Sequence, residues 1–248
     1  MKTPAYWGIA GFPIAHSLTP RLFKIVGEYV GLSGSQCVFI EADSIDEFLN
    51  NIEHLEGDIW ISCTAPLKHS PQERLGVSGP EGVNAINQLK RSDGEWSGTS
   101  TDGVGFVVAV KHIGINPKGT ILKIRGGGSA ARSIASAWSS EGGLILPIEG
   151  RRKLIQGPWE DAIVKKGNAA IAIDLDAFAG GGGSEKLTAK KRVSISYGEN
   201  WKIDDFAIIM VAAQHLEAWK KLFSPNNNDK LPTLVELLKL LDDSNHSS

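Results

Sequence analysis

The sequence is poor in sulfur: its 248 residues include two cysteines, Cys37 and Cys63, and two methionines. Two thiols cannot build a disulfide framework. Both sit in strand-like apolar runs, which predicts buried thiols in a reducing compartment, the cytoplasm by default. A basic surplus is absent as well. Lysine and arginine number 26 against 28 aspartates and glutamates, a formal net charge of -2. That balance gives no electrostatic footprint for nucleic acid. No apolar run is long enough for a membrane span, so no membrane partner is expected. Residues Met1 to Pro13 lack the basic region, apolar core and small-residue cleavage site of a secretory leader. No metal site, internal repeat or proline-rich tether is read. What remains is 42% hydrophobic and 22% charged, ordinary for a chain that buries a core. Its 28 glycines are many for the length, and they cluster.

Strand-length apolar runs alternate with helix-period segments. Trp7 to Gly11 reads as a strand, Thr19 to Leu32 as a helix with Leu22, Phe23, Ile25, Val26 and Val30 on one face, and Cys37 to Ile40 as a strand. Ile45 to Leu55 is amphipathic, and Asp58 to Cys63 is again strand-like. This alternation argues for a parallel α/β sheet. The rhythm then restarts. Thr120 to Ile124 is a strand, Ala130 to Ser140 a helix, and Leu144 to Ile148, Ala169 to Ile173 and Val193 to Ser196 are further strands. Gly180 to Gly183 reads as a flexible loop. Ile208 to Phe223 and Leu231 to Leu241 read as closing helices, with a frayed polar tail after Asp242. Two restarts predict two domains, divided near Thr101 to Val107.

Four constellations carry chemistry. Gly126-x-Gly128-x-x-Ala131 follows a predicted strand and opens a predicted helix, the setting of a dinucleotide fingerprint. Gly126, Gly127 and Gly128 would form the turn, and Ser129 and Ala130 would offer helix N-terminal N–H groups to phosphate. The plainer reading is a glycine turn without a ligand. The next strand ends at Glu149, followed by Gly150, Arg151 and Arg152. An acidic residue here suits the ribose hydroxyls of NAD, and arginine suits the 2′-phosphate of NADP, so the local chemistry is mixed. An exposed charged turn would explain at least one arginine. Ser17 and Thr19 stand two apart before a helix and make a natural carboxylate pocket. Thr19 followed by Pro20 is equally a good N-cap. Lys68 follows Cys63-Thr64-Ala65-Pro66-Leu67 at a strand's C-terminal end, where ligands of open α/β sheets bind. There it could donate a proton or stabilise an alkoxide, or simply be a solvated surface lysine. Asp102, in Gly98-Thr99-Ser100-Thr101-Asp102-Gly103, is a helix cap first, and a partner for a lysine only if the two face each other.

In this order the pieces resemble shikimate dehydrogenases. Gly11 to Pro20 resembles the family's opening glycine-x-proline-isoleucine-x-histidine-serine-x-serine-proline. Cys63 to Lys68 resembles valine-threonine-x-proline-x-lysine, and Val83-Asn84-Ala85 resembles valine-asparagine-threonine. Ser100 to Gly105 resembles asparagine-threonine-aspartate-x-x-glycine. Met210 to Gln214, with Trp219, resembles the late methionine-leucine-x-x-glutamine motif. The departures are Ser62, Ala85 and Ser100, and Arg125 before the glycine run. Glu149-Gly150-Arg151 stands where the family carries asparagine-arginine-threonine. Asp176-Ala177-Phe178 is a weak counterpart of its asparagine-alanine-threonine loop. The short stretch from Tyr197 to Met210 suggests that one peripheral helix is missing.

The resemblance implies a two-domain α/β fold. Residues 1–103 would be an α/β substrate-binding catalytic domain, with 211–248 returning as C-terminal helices to pack on it. Residues 104–210 would be a Rossmann-like nucleotide-binding domain. It implies Lys68 and Asp102 as the catalytic pair. Ser17 and Thr19 would bind the substrate carboxylate. Thr64, Lys68, Asn84, Asp102, Tyr197 and Gln214 would contact the remainder of the substrate. The cofactor would be NADP, with NAD the alternative, held by Gly126, Gly127, Gly128, Ser129, Ala130, Glu149, Arg151 and Arg152. The implied activity is reversible reduction of 3-dehydroshikimate to shikimate by a monomer or homodimer. The rival readings are an NAD-dependent quinate/shikimate dehydrogenase and a non-catalytic binder of a shikimate-like acid that has lost cofactor use.

Overall fold

A computed structural model describes residues 2–176 and 187–246. The expected glycine loop at 180–183 lies outside the described residues, as do Ala177 and Phe178. The chain divides into two compact units. One comprises residues 1–80, 85–101 and 214–248, the other 81–84 and 102–213.

The first unit is built on strands β1 (Tyr6–Gly11), β2 (Gln36–Glu41), β3 (Ile59–Cys63), β4 (Gln88–Ser92) and β5 (Glu95–Thr99), ordered β2-β1-β3-β4-β5. The pairs β1–β2 and β1–β3 are parallel, whereas β4 and β5 form an antiparallel hairpin on the β3 edge. All of β3 is buried, as expected of an inner strand covered on both faces. Helices α1 (Thr19–Tyr29), α2 (Ile45–Ile52) and the short α3 (Pro71–Leu75) follow the strands in sequence. Phe23 and Trp60 pack with Trp219 and Phe223 from the C-terminal segment, and the Trp60 and Phe223 rings stack at 5.2 Å. The hairpin turns on Asp93 and Gly94, both at positive φ (50° and 85°), as a two-residue turn between twisted strands requires.

One thiol departs from expectation. Cys63 is buried but Cys37 is exposed. Strand β2 has a neighbour on one side only, so its apolar run does not lie inside the sheet.

The second unit starts with α4 (Asp102–His112) and continues through β6 (Ile121–Arg125), α5 (Ser129–Ser140), β7 (Leu144–Ile148), β8 (Ile171–Asp174) and β9 (Lys191–Val193). Its sheet is wholly parallel, in the order β7-β6-β8-β9. Helices α4 and α5 pack closely because position 103 is glycine: a Cβ there would lie 1.9 Å from the Ser133 carbonyl oxygen. The crossover from β7 to β8 holds no α-helix, only a 3-10 turn at Glu160–Ala162. Trp159 fills the space beneath it, fully buried, its indole N–H donating to the Ile155 carbonyl at 3.2 Å. Residues 194–205 likewise contain no helix.

Helix α6 (Phe206–Ala218) starts in the second unit and ends in the first, followed by a π turn (Trp219–Phe223). Helix α7 (Leu234–His246) packs on α1 and continues past Asp242, where the sequence suggests a frayed tail. Its start is fixed by Thr233, whose hydroxyl accepts the Glu236 N–H while the Glu236 carboxylate accepts the Thr233 N–H at 2.7 Å. Among the described residues no helix is long and apolar enough to cross a membrane.

Candidate active site

In the first unit, four of the expected substrate residues come from two adjoining loops. Ser17 and Thr19 follow β1, and Thr64 and Lys68 follow β3. The strands are parallel neighbours, so both loops leave from the same edge. Backbone bonds join them: Thr64 N–H donates to the Ala10 carbonyl at 2.9 Å, and Phe12 N–H to the Ala65 carbonyl at 2.9 Å. Position 11 must be glycine, because at φ 136° a Cβ would meet Thr64 and the Ala65 carbonyl oxygen at 2.5 and 2.7 Å. Thr19 is not the helix cap. Helix α1 begins at Thr19 with Leu18 before it, and the Ser17 hydroxyl accepts the Thr19 N–H at 3.3 Å. Thr19 is buried and Ser17 partly exposed.

Lys68 lies on a 3-10 turn, Leu67–His69, half-buried. Its carbonyl accepts the Ile86 N–H at 2.7 Å. The Lys68 charge is near enough to favour the thiolate of Cys63, but burial outweighs it and pushes that thiol up to about 12. Cys63 is therefore an inert core group. Gln214 is half-buried on α6.

A buried polar network that the sequence did not reveal runs behind this edge. Asn87 Oδ1 accepts the Thr101 N–H at 2.7 Å, and Asn87 Nδ2 donates to the Thr101 hydroxyl at 3.1 Å. Gln88 Nε2 donates to the same hydroxyl at 3.3 Å, while Gln88 Oε1 accepts from the Ser62 hydroxyl at 2.7 Å. Ser62, a departure from the family pattern, is thus fully engaged. The network fixes the residue immediately before Asp102.

Asp102 opens α4 in the second unit, 3% exposed, and the N–H of Gly103 donates to the Ser133 hydroxyl at 2.9 Å. Asn84 is exposed and holds a left-handed backbone, φ 47°. Its carbonyl accepts from Arg132 Nη2 at 2.8 Å, and the Val83 carbonyl accepts from Arg132 Nε at 2.7 Å. Arg132 Nη1 also reaches the Gly127 carbonyl at 3.3 Å. One guanidinium therefore ties the Asn84 segment to the glycine turn. Tyr197 lines a groove of about 620 Å³ with Arg192, Trp201 and Asp204.

The glycine turn behaves differently at each position. Gly128 precedes α5, no side chain caps that helix, and a Cβ at 128 would meet nothing within 4 Å. The N–H groups of the first turn, Ser129 and Ala130 included, therefore adjoin open space suited to an anion. Arg132 and Arg152 stand close by: burial, and then the Arg152 charge, lower the Arg132 pKa. These residues fit the phosphates of a dinucleotide. Gly126 and Gly127 face the chain itself. A Cβ at 127 would lie 1.9 Å from the Lys153 carbonyl oxygen, and one at 126 would lie 3.0 Å from Asp176 Oδ1. Glu149 is exposed and pairs with Lys153 at 3.3 Å, and Arg151 and Arg152 are exposed.

No family model matches the chain. Over 137 residues it is 34% identical to the NADP(+) shikimate dehydrogenase of Xylella fastidiosa strain M12, covering 53% of this chain and 48% of that protein. It is 32% identical over 142 residues to the enzyme of the same name from Xanthomonas campestris pv. campestris strain B100, covering 53% and 47%. The chain spans about half the length of these curated relatives. Its backbone is similar to that of shikimate 5-dehydrogenase from Thermus thermophilus in complex with NADP(H) and shikimate. There the TM-score is 0.73 at 22% identity, over 96% of this chain and 98% of that one. Over about half its length the chain is thus similar to NADP(+) shikimate dehydrogenases, and its backbone shares their fold. Among the departures from the shikimate dehydrogenase pattern, Ala85 and Ser100 are buried, and every buried side-chain polar atom among the described residues has a partner. The second unit carries a parallel sheet with an uncapped helix after its first strand, but no helix in the β7–β8 crossover.

Proposed function

We propose that this chain catalyses the reversible, NADP-dependent reduction of 3-dehydroshikimate to shikimate. The observation that carries the reading is the pair of joined loops that gathers Ser17, Thr19, Thr64 and Lys68 on one edge of one sheet. Ser17 and Thr19 would hold the substrate carboxylate, hydroxyl donors suited to an anion. The dinucleotide, when bound, supplies or accepts the hydride. Lys68 Nζ gives the proton to the carbonyl oxygen during reduction and recovers it during oxidation, and its charge stabilises the oxyanion in between. Asp102 would serve as the lysine's partner in proton transfer. Asn84, Thr64, Tyr197 and Gln214 complete substrate recognition. Gly128, Ser129 and Ala130 would hold phosphate, with Arg151 and Arg152 toward the 2′-phosphate. The protein would act in the cytoplasm as a monomer or homodimer.

A second reading is NAD-dependent oxidation of quinate or shikimate, and the engagement of Arg151 by a carboxylate favours it. Steady-state rates with shikimate and quinate, each with NADP and NAD, separate the two. Fastest turnover of shikimate with NADP is expected. Absence of turnover with all four pairs would overturn both.

A further inference from the structure

Two carboxylates stand near the end of the cofactor strands, and they differ in kind. The Glu149 side chain is 75% exposed and neutralised locally by Lys153. Water and salt screen such a charge within a short distance. The Asp176 side chain is 8% exposed. Its Oδ2 accepts the backbone N–H of Arg151, and its Oδ1 lies 4.0 Å from Arg151 Nε. Glycine at 150 makes this approach possible, since a Cβ there would sit 2.0 Å from Asp176 Oδ2. The same carboxylate adjoins Gly126, the first residue of the glycine turn.

The carboxylate is aimed from behind. The Asp176 N–H donates to Asp174 Oδ1 at 3.0 Å, and Asp174, nearly fully buried, pairs with Arg125 at 3.2 Å. Arg125 ends β6, directly before the glycine turn, so the pair links the turns after β6 and β8. Its unusual place before the glycines thereby has a use.

We propose that Asp176, rather than Glu149, sets the preference of this chain between 2′-phosphorylated and unphosphorylated dinucleotides. Two effects act together: a poorly screened negative charge beside the turn, and an Arg151 whose backbone N–H bonds that carboxylate and whose guanidinium faces it. Both disfavour the extra phosphate, and selectivity by a repulsive group needs no contact with the favoured ligand. This inference rests on the cofactor reading above.

The test is equilibrium binding of NADPH and NADH to the purified chain, by calorimetry, without substrate or turnover. Asp176→Asn keeps the shape and the acceptor for the Arg151 N–H and removes the charge. It should tighten NADPH relative to NADH by roughly tenfold. Glu149→Gln should change that ratio by less than about twofold, as befits a screened surface charge. Adding Arg151→Ala to Asp176→Asn should cancel most of the gain, because the freed arginine delivers it. An unchanged ratio in Asp176→Asn, with both nucleotides bound, overturns this inference alone. If neither nucleotide binds the parent or the variant, the cofactor reading falls and this inference with it.

Discussion

Trp219 donates its indole N–H to Nε2 of His215 at 2.9 Å, and both rings are buried against Phe23. The other imidazole nitrogen faces the Leu22 carbonyl, so the ring is fully bonded only when neutral. Burial lowers its pKa to about 3, against an ordinary 6.5. The unfolded chain thus binds the proton more readily. Stability from this site is complete above pH 6.5 and declines as pH falls toward 3. At pH 5 the loss is about 2 kcal/mol. His215→Gln retains an acceptor for Trp219 and should flatten the acid limb of stability against pH. Urea midpoints between about pH 4 and 8 decide it, and equal acid slopes in parent and variant would refute the assignment.

Lys68→Ala should leave the far-ultraviolet circular dichroism unchanged and lower turnover by about two to four orders of magnitude, the usual loss when a positioned acid is removed. Turnover within about threefold of the parent, a barrier change below ~1 kcal/mol, would exclude Lys68 from proton transfer.

The double variant Ser17→Ala, Thr19→Ala should raise KM for shikimate far more than KM for the nucleotide. Each hydrogen bond to a charged carboxylate contributes roughly 1.5–3 kcal/mol. Unchanged shikimate affinity would put the carboxylate pocket elsewhere. Ser17 also accepts the Thr19 N–H, so thermal midpoints of each single variant should accompany the kinetics.

Asn87→Ala strips the Thr101 N–H of its partner inside a buried network and leaves the Thr101 hydroxyl with Gln88. An orphaned buried donor costs about 1–3 kcal/mol. The fall should appear in the urea midpoint, and kcat should drop as well because Thr101 precedes Asp102. A variant as stable and active as the parent would mean the network is redundant.

The alternating pattern of strands and helices was readable because central parallel strands and amphipathic helices write their periods into the sequence. The β4–β5 hairpin was missed, although Asp93-Gly94 is a strong turn signal. Its strands carry charged and polar residues and lack the apolar run used to find the others. The side chain of Thr19 looked like a cap because Pro20 follows it, but the loop's own bonds start the helix one residue earlier. The sequence marks Asp176 only as part of a loop motif: its approach to Arg151 depends on a distant glycine, Gly150, leaving room for it. Arg132 left one trace, a cation near the start of a helix, where the dipole disfavours it. Contacts to the carbonyls of Val83, Asn84 and Gly127 offset that cost.

The uneven exposure of Cys37 and Cys63 gives the chain a built-in unfolding clock. A thiol reagent should find one site per native molecule and two per unfolded molecule. The second modification can proceed only as often as the inner strand β3 opens, so its rate at saturating reagent reads the opening of that strand without any added probe. Because β3 leads into the turn bearing Lys68, the same rate gauges how long the proposed proton donor keeps its seat.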